Sequence, residues 1–219
     1  LKGVVSSDLI NKIIAYLTSL GRSSLPSWHA LVEGCPDFHR VINNDERAYV
    51  KSIKHEFCFH PWNQNVFDLF SIMAPIYQLR NLVSGLDKKS FLENTPKDGF
   101  IARLAFHYYP VGGGEIKKHA DPVDQHQLTV PLLQMTKKGK DFKQGGLYVV
   151  NAEGNKICVD DITEPGDVVF FNAELIHGVG PTDPDEKLDW LAYRGHWLML
   201  ASVIKTTDNN MSANALQLE

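Results

Sequence analysis

The stretch "EIKKHADPVDQH" sets His119 and Asp121 two positions apart, just after a glycine run at Gly112–Gly114. On an extended chain, residues i and i+2 project from one face, so this imidazole and this carboxylate can reach a single ion. Two ligands hold a divalent metal weakly. A third candidate, His177, follows the apolar run in "EPGDVVFFNAELIHGVGP", 177 − 121 = 56 residues further on. Two imidazoles and one carboxylate on one face form the set that binds non-haem iron(II), leaving positions open for substrate and oxygen. If the oxidant is built from a bound 2-oxo acid, the acid's far carboxylate needs a cation in the same interior. Arg194, 194 − 177 = 17 residues beyond His177, interrupts the apolar run "LAYRGHWLML", where strand alternation groups it with Ala192, His196 and Leu198. A guanidinium buried in a strand is costly alone, and a bidentate carboxylate matches its fork.

Such residues need a scaffold that brings distant segments together. Before residue 100, "SSDLINKIIAYLTSL" offers Ser and Asp as an N-cap, with Leu9, Ile10, Ile13, Ile14 and Leu17 at helical spacing. "NQNVFDLFSIMAPIYQLRNLVSGL" predicts one or two further helices, kinked or broken at Pro75. The stretch between them, "CPDFHRVINNDERAYVKSIKHEFCFHPW", is mixed and reads as loop with a short helix or strand. After residue 100 the pattern becomes β. "FIARLAFHYY", "HQLTVPLL", "GGLYVVN", "NKICVD", "GDVVFF" and "LAYRGHWLMLASVI" are short runs separated by Gly, Pro, Asp and Asn. The expected fold class is α+β, mainly β, with an N-terminal helical layer on a jelly roll. One domain is expected, with a mainly helical part at 1–99, a jelly-roll core at 100–205 and a polar tail at 206–219.

Composition narrows the function classes. The chain has 219 residues and a formal charge of −4, which gives no global attraction for nucleic acid or an anionic membrane. No apolar run approaches the roughly 20 residues that span a bilayer, and "LKGVVSSDLINKIIAYL" makes a poor signal peptide. Cys35, Cys58 and Cys158 are far apart and form no CxxC pair, which favours a reducing, cytoplasmic setting over a disulfide framework. The run Lys137–Lys143, "KKGKDFK", is by default a solvated loop; its sharper reading is a lid for an anionic substrate.

From about Ile101 to Ile204 the chain resembles the 2-oxoglutarate- and Fe(II)-dependent dioxygenases of the prolyl-hydroxylase-like branch. "YYPVGGGEIKKHAD" resembles that branch's approach to HxD, "GGLYVV" its Gly-Gly-strand step, and "PGDVVFFNAELIHGV" the segment carrying its distal histidine. The resemblance implies a double-stranded β-helix with iron ligands at His119, Asp121 and His177. It assigns the cosubstrate arginine to Arg194 and gives Tyr109 a place near metal and 2-oxo acid. Thr129 falls on the strand lining the cosubstrate pocket. It further implies Fe(II), 2-oxoglutarate and O2 as cofactor and cosubstrates. The reaction would be hydroxylation of an unactivated C–H in a small molecule, with release of succinate and CO2. Two departures stand out. Leu133 occupies a place where the branch often has tyrosine, and "PTDPDEKLDW" lengthens the His-to-Arg interval.

Other readings stay open at this point. "PGDVVFFNAELIHGV" also resembles the second half of a cupin motif, although Asp121 stands where a cupin would carry its second histidine. A non-catalytic jelly roll that binds a sugar or another ligand is the third reading.

Overall fold

The computed structural model describes residues 1–23, 39–46, 48, 50–61, 65–93, 99–123 and 127–205. The expected tail at 206–219, Cys35 and His126 lie outside these. The elements in chain order are α1 (Ser7–Ser23), β1 (His39–Asn43), β2 (Ser52–Phe59), α2 (Leu69–Val83), β3 (Phe100–Pro110) and β4 (Gly114–His119). They continue with β5 (Thr129–Gln134), β6 (Gly146–Val150), β7 (Lys156–Cys158), β8 (Val168–Asn172), β9 (His177–Thr182) and β10 (Gly195–Lys205). No described helix is long and apolar enough to cross a membrane.

All described strand pairings are antiparallel, and the strands form one curled sheet in the order β7-β6-β9-β4-β2-β3-β10-β5-β8, with β1 on β2. Curling gives the sheet an outer face and an enclosed one, and strand alternation sorts the side chains between them. Leu104, Phe106 and Tyr108 of β3, with Trp197, Met199 and Ala201 of β10, face a core shared with Ile10, Ile13 and Leu17 of α1 and Met73, Ile76 and Tyr77 of α2. Burying each such large apolar side chain contributes about 1.5–3 kcal/mol. The intervening positions, Tyr109 and Leu198, join Ile116, Val130, Leu132, Leu147, Phe171 and Val179 in the enclosed core. This is the expected mainly-β jelly roll with its helical layer.

Local chemistry explains the elements. The Ser6 hydroxyl accepts the Leu9 N–H at 3.3 Å and caps α1, as the sequence suggests. α2 runs through Pro75 without a break. The stretch between the helices, read as loop with a short helix or strand, holds two strands, β1 and β2. Both belong to the main sheet, and β2 inserts between β3 and β4. The run "SIKHEFCF" hid this because its Lys54, His55 and Glu56 look solvated, yet each is no more than 4 % exposed. The glycine run has a specific task. Gly112 sits at φ +86°, and a Cβ there would come within 2.3 Å of the Leu188 amide nitrogen. Only glycine lets the chain pass that close, so this corner swings β4 out of line with β3 and across to β9.

Candidate metal centre

The 56 residues between Asp121 and His177 are closed by strand pairing. β4 and β9 are neighbours, and His119 and His177 are register partners, with ring centroids 4.3 Å apart. Asp121 lies just beyond β4, where its backbone N–H donates to the Ala173 carbonyl at 2.9 Å and ties it to the loop after β8. The Asp121 carboxylate faces both rings, its oxygens 3.8 Å from His119 Nε2 and 3.6 Å from His177 Nε2. One ligand atom from each of the three residues lies within 4.8 Å of the others. Ligands about 2.1 Å from one ion at right angles stand about 3 Å apart, so small inward movements close the set.

The tautomers suit a metal. His119 Nδ1 and His177 Nδ1 sit 2.8 Å from the carbonyls of Lys117 and Leu175, each two residues upstream. With Nδ1 donating its proton to the carbonyl, each Nε2 keeps its lone pair and points toward the carboxylate. Outer hydrogen bonds of this kind fix ring orientation in metal sites. Burial, assisted by the nearby His177 ring, lowers the His119 pKa and favours the neutral imidazole that binds metal. The three residues therefore fit an iron(II) ion.

Around them stand Tyr109, His107, Ile116, Val130, Leu132, Leu147, Val179 and Leu198. Tyr109 is at the site as expected, with its hydroxyl 3.2 Å from His107 Nδ1. Two expected residues are not. Thr129 lies on the outer side of β5 beside Val168 and Phe170, because alternation sends Val130 and Leu132 inward and leaves Thr129 and Leu133 outside. Arg194 precedes β10 rather than belonging to it. Tyr193 at φ +53° and Gly195 at φ +145° break the extended path, so its parity does not continue into the strand. Its side chain is 55 % exposed and forms a two-pronged pair with Glu186, with Nη1 at 3.1 Å from Oε1. Surface pairs of this kind contribute about 0–1 kcal/mol. Arg194→Ala is therefore expected to leave 2-oxo acid affinity unchanged in calorimetry, and a loss of about tenfold (1.4 kcal/mol) would return Arg194 to the site.

The lysine loop is misplaced for a lid. It leaves the Gln134 end of β5, whereas the metal centre adjoins the Thr129 end, where Thr129 pairs with Asn172 next to Ala173. Lys137 and Lys138 are also engaged, with Glu164 at 2.5 Å and Asp161 at 2.9 Å.

Four residues inside the barrel carry no functional role in the sequence reading. His107 lines the metal pocket, with Lys54 Nζ 3.1 Å from its Nε2. Away from that pocket, His196 Nε2 is 3.3 Å from Asp160 Oδ1, and both residues are buried. Asp160 also accepts the Leu147 N–H at 2.5 Å, while the Tyr109 ring stacks on His196 at 5.6 Å. Parity on β3 and β10 marks His107 and His196 as inward-facing. Nothing in the sequence marks Lys54 or Asp160.

No protein-family model and no curated protein matches the chain. Solved structures do. A prolyl-4-hydroxylase from Pseudomonas putida aligns with a TM-score of 0.56 at 16 % identity, over 95 % of this chain and 91 % of that one. A 2OG-Fe(II) oxygenase family protein from Caulobacter crescentus aligns with a TM-score of 0.52 at 12 % identity, over 91 % and 74 %. JOX2, solved in complex with 2OG, Fe and JA, aligns with a TM-score of 0.51 at 14 % identity, over 98 % and 71 %. With these alignments spanning nearly its whole length, the chain has the fold of the 2-oxoglutarate–Fe(II) oxygenases, prolyl-4-hydroxylases included.

Proposed function

We propose that this protein is an Fe(II)- and 2-oxoglutarate-dependent dioxygenase that hydroxylates an unactivated C–H of a small-molecule substrate. The observation that carries the reading is the His119–Asp121–His177 cluster, with both imidazoles held in the metal-binding tautomer inside this fold. Iron(II) bound there, with 2-oxoglutarate and O2, supplies the C–H oxidation and yields succinate and CO2. The chain's own part is placement. His119 and His177 present Nε2 from adjacent strands, and Asp121 supplies a charge that offsets part of the ion's. Because Asp121 would supply the third ligand, no ligand place would be left for a halide, which favours hydroxylation over halogenation. Val130, Leu132, Leu147, Val179 and Leu198 make an apolar wall that limits water beside the metal. Tyr109 and His107, joined by a hydrogen bond, provide the polar part of that wall.

The test is consumption of 2-oxoglutarate by the iron-loaded protein in air. Succinate should form slowly without substrate, rise with a matching compound from a metabolite library, and vanish in the Asp121→Ala variant. A protein that holds iron yet neither binds 2-oxoglutarate nor forms succinate would overturn the reading and favour a cupin-type metal enzyme.

A further inference from the structure

The far carboxylate of a 2-oxo acid needs a cation. Beside His196 the interior already holds the carboxyl group of Asp160, which is 2 % exposed and fixed by the Leu147 N–H. Arg194 is outside. On β2, by contrast, the Lys54 ammonium is 4 % exposed on its side chain and lies 3.1 Å from Glu56 Oε2 and 3.1 Å from His107 Nε2. His107 lines the metal pocket, so its ring links the ammonium to the wall of that pocket. Those two partners take two of the three ammonium donors, leaving the third for a ligand.

We propose that Lys54 is the binding residue for the far carboxylate of the 2-oxo acid, so that the acid lies from the metal toward β2 along His107 and Tyr109. The inference rests on the dioxygenase reading above. Glu56 then serves as a positioning residue. Its carboxyl, although pushed up by burial, is held well below the usual range by Lys54, His107, Arg103 and Arg40. It stays ionised and, 3.1 Å from the Lys54 ammonium, holds that side chain inside the barrel. A lysine side chain is long and flexible, so Nζ can turn from the His107 ring to a carboxylate without moving the strand.

The test is a binding measurement on the full chain loaded with Co(II), without oxygen or turnover. Calorimetry compares 2-oxoglutarate with 2-oxopentanoate, which has a methyl group in place of the far carboxylate. The wild-type protein should prefer the dicarboxylate by at least about thirtyfold, roughly 2 kcal/mol at 1.4 per decade. Lys54→Met should bring the two acids to within about threefold of each other (0.65 kcal/mol) and leave 2-oxopentanoate affinity near wild type. Lys54→Arg should keep an intermediate preference. Because Lys54→Met leaves Glu56 short of a partner, Lys54→Met/Glu56→Gln guards against misfolding and should lose the preference equally. A preference retained in that double variant, or lost in Arg194→Ala, overturns the assignment alone. So does a wild-type protein that binds both acids equally. A metal-loaded wild-type protein that binds neither acid overturns the dioxygenase reading with it.

Discussion

His177→Ala and Asp121→Ala should each give a folded protein that no longer retains iron. Outer-shell partners of a metal ligand are typically worth about 10–100-fold in affinity, and a ligand itself contributes more. A loss of at least about a thousandfold is therefore expected for either variant, with 2-oxoglutarate consumption abolished. The fold should survive, because Asp121 lies beyond the last hydrogen-bonded position of β4 and is held by its backbone N–H, which alanine retains. His177→Ala removes a ring that packs on Phe171 at 4.7 Å, so a modest fall in thermal midpoint should accompany the lost metal. Metal content after dialysis, read beside circular dichroism, checks both parts. Full iron stoichiometry in the Asp121→Ala protein would remove the carboxylate from the site.

Acid should destabilise the protein sharply between pH 7 and pH 5 through histidines remote from the metal. His39 and His55 stack on the outer face of the sheet with Nε2 and Nδ1 2.9 Å apart, and both are buried. Burial lowers the pKa of His55 to about 3, with the neighbouring His39 adding to the effect, and burial lowers His39 to about 4. Both are neutral in the fold, whereas an unfolded chain protonates them below about pH 6.5. The unfolded state therefore binds more protons in this window. The stability these residues contribute is present above pH 6.5 and is lost progressively as pH falls toward their folded values. At pH 5 His55 alone costs roughly 2 kcal/mol by this linkage. His39 acts in the same direction, as does His60, whose pKa burial lowers to about 4. For a chain of this size each kcal/mol moves the midpoint by about 2–4 °C. Thermal melts at pH 7 and pH 5, in the presence of a chelator so that metal release plays no part, should show the fall. His55→Phe should make it shallower, and equal melts for wild type at the two pH values would mean these rings are not held neutral.

The clustering of His119, Asp121 and His177 is legible because its signal is local. An i, i+2 pair needs only an extended chain, and His177 needs only an apolar strand followed by a turn. The place of Arg194 is not, because strand parity does not hold across a break. Arg194 looks inward only if the strand already runs straight at Tyr193, and that residue's positive φ turns the side chain out to Glu186. Thr129 fails for the opposite reason. It lies in the expected strand, but on the wrong side of the alternation that sends Val130 inward. β2 is legible only as a short strand within a mixed stretch. Phe57 and Phe59 alternate into the helical core, but Lys54, His55 and Glu56 look solvated because their partners on β1 and β3 are distant in sequence.

The two carbonyls that orient the imidazoles belong to the backbone at Lys117 and Leu175. Every amino acid supplies that oxygen, so no substitution at those positions can remove it while the strands keep their register. The outer layer of the metal centre is thus insulated from sequence drift, and only the three ligands and the β4–β9 pairing need be preserved. A lineage could replace nearly every side chain around the ion and still keep a competent site. The facing of His119 and His177 then depends on the β4–β9 register alone.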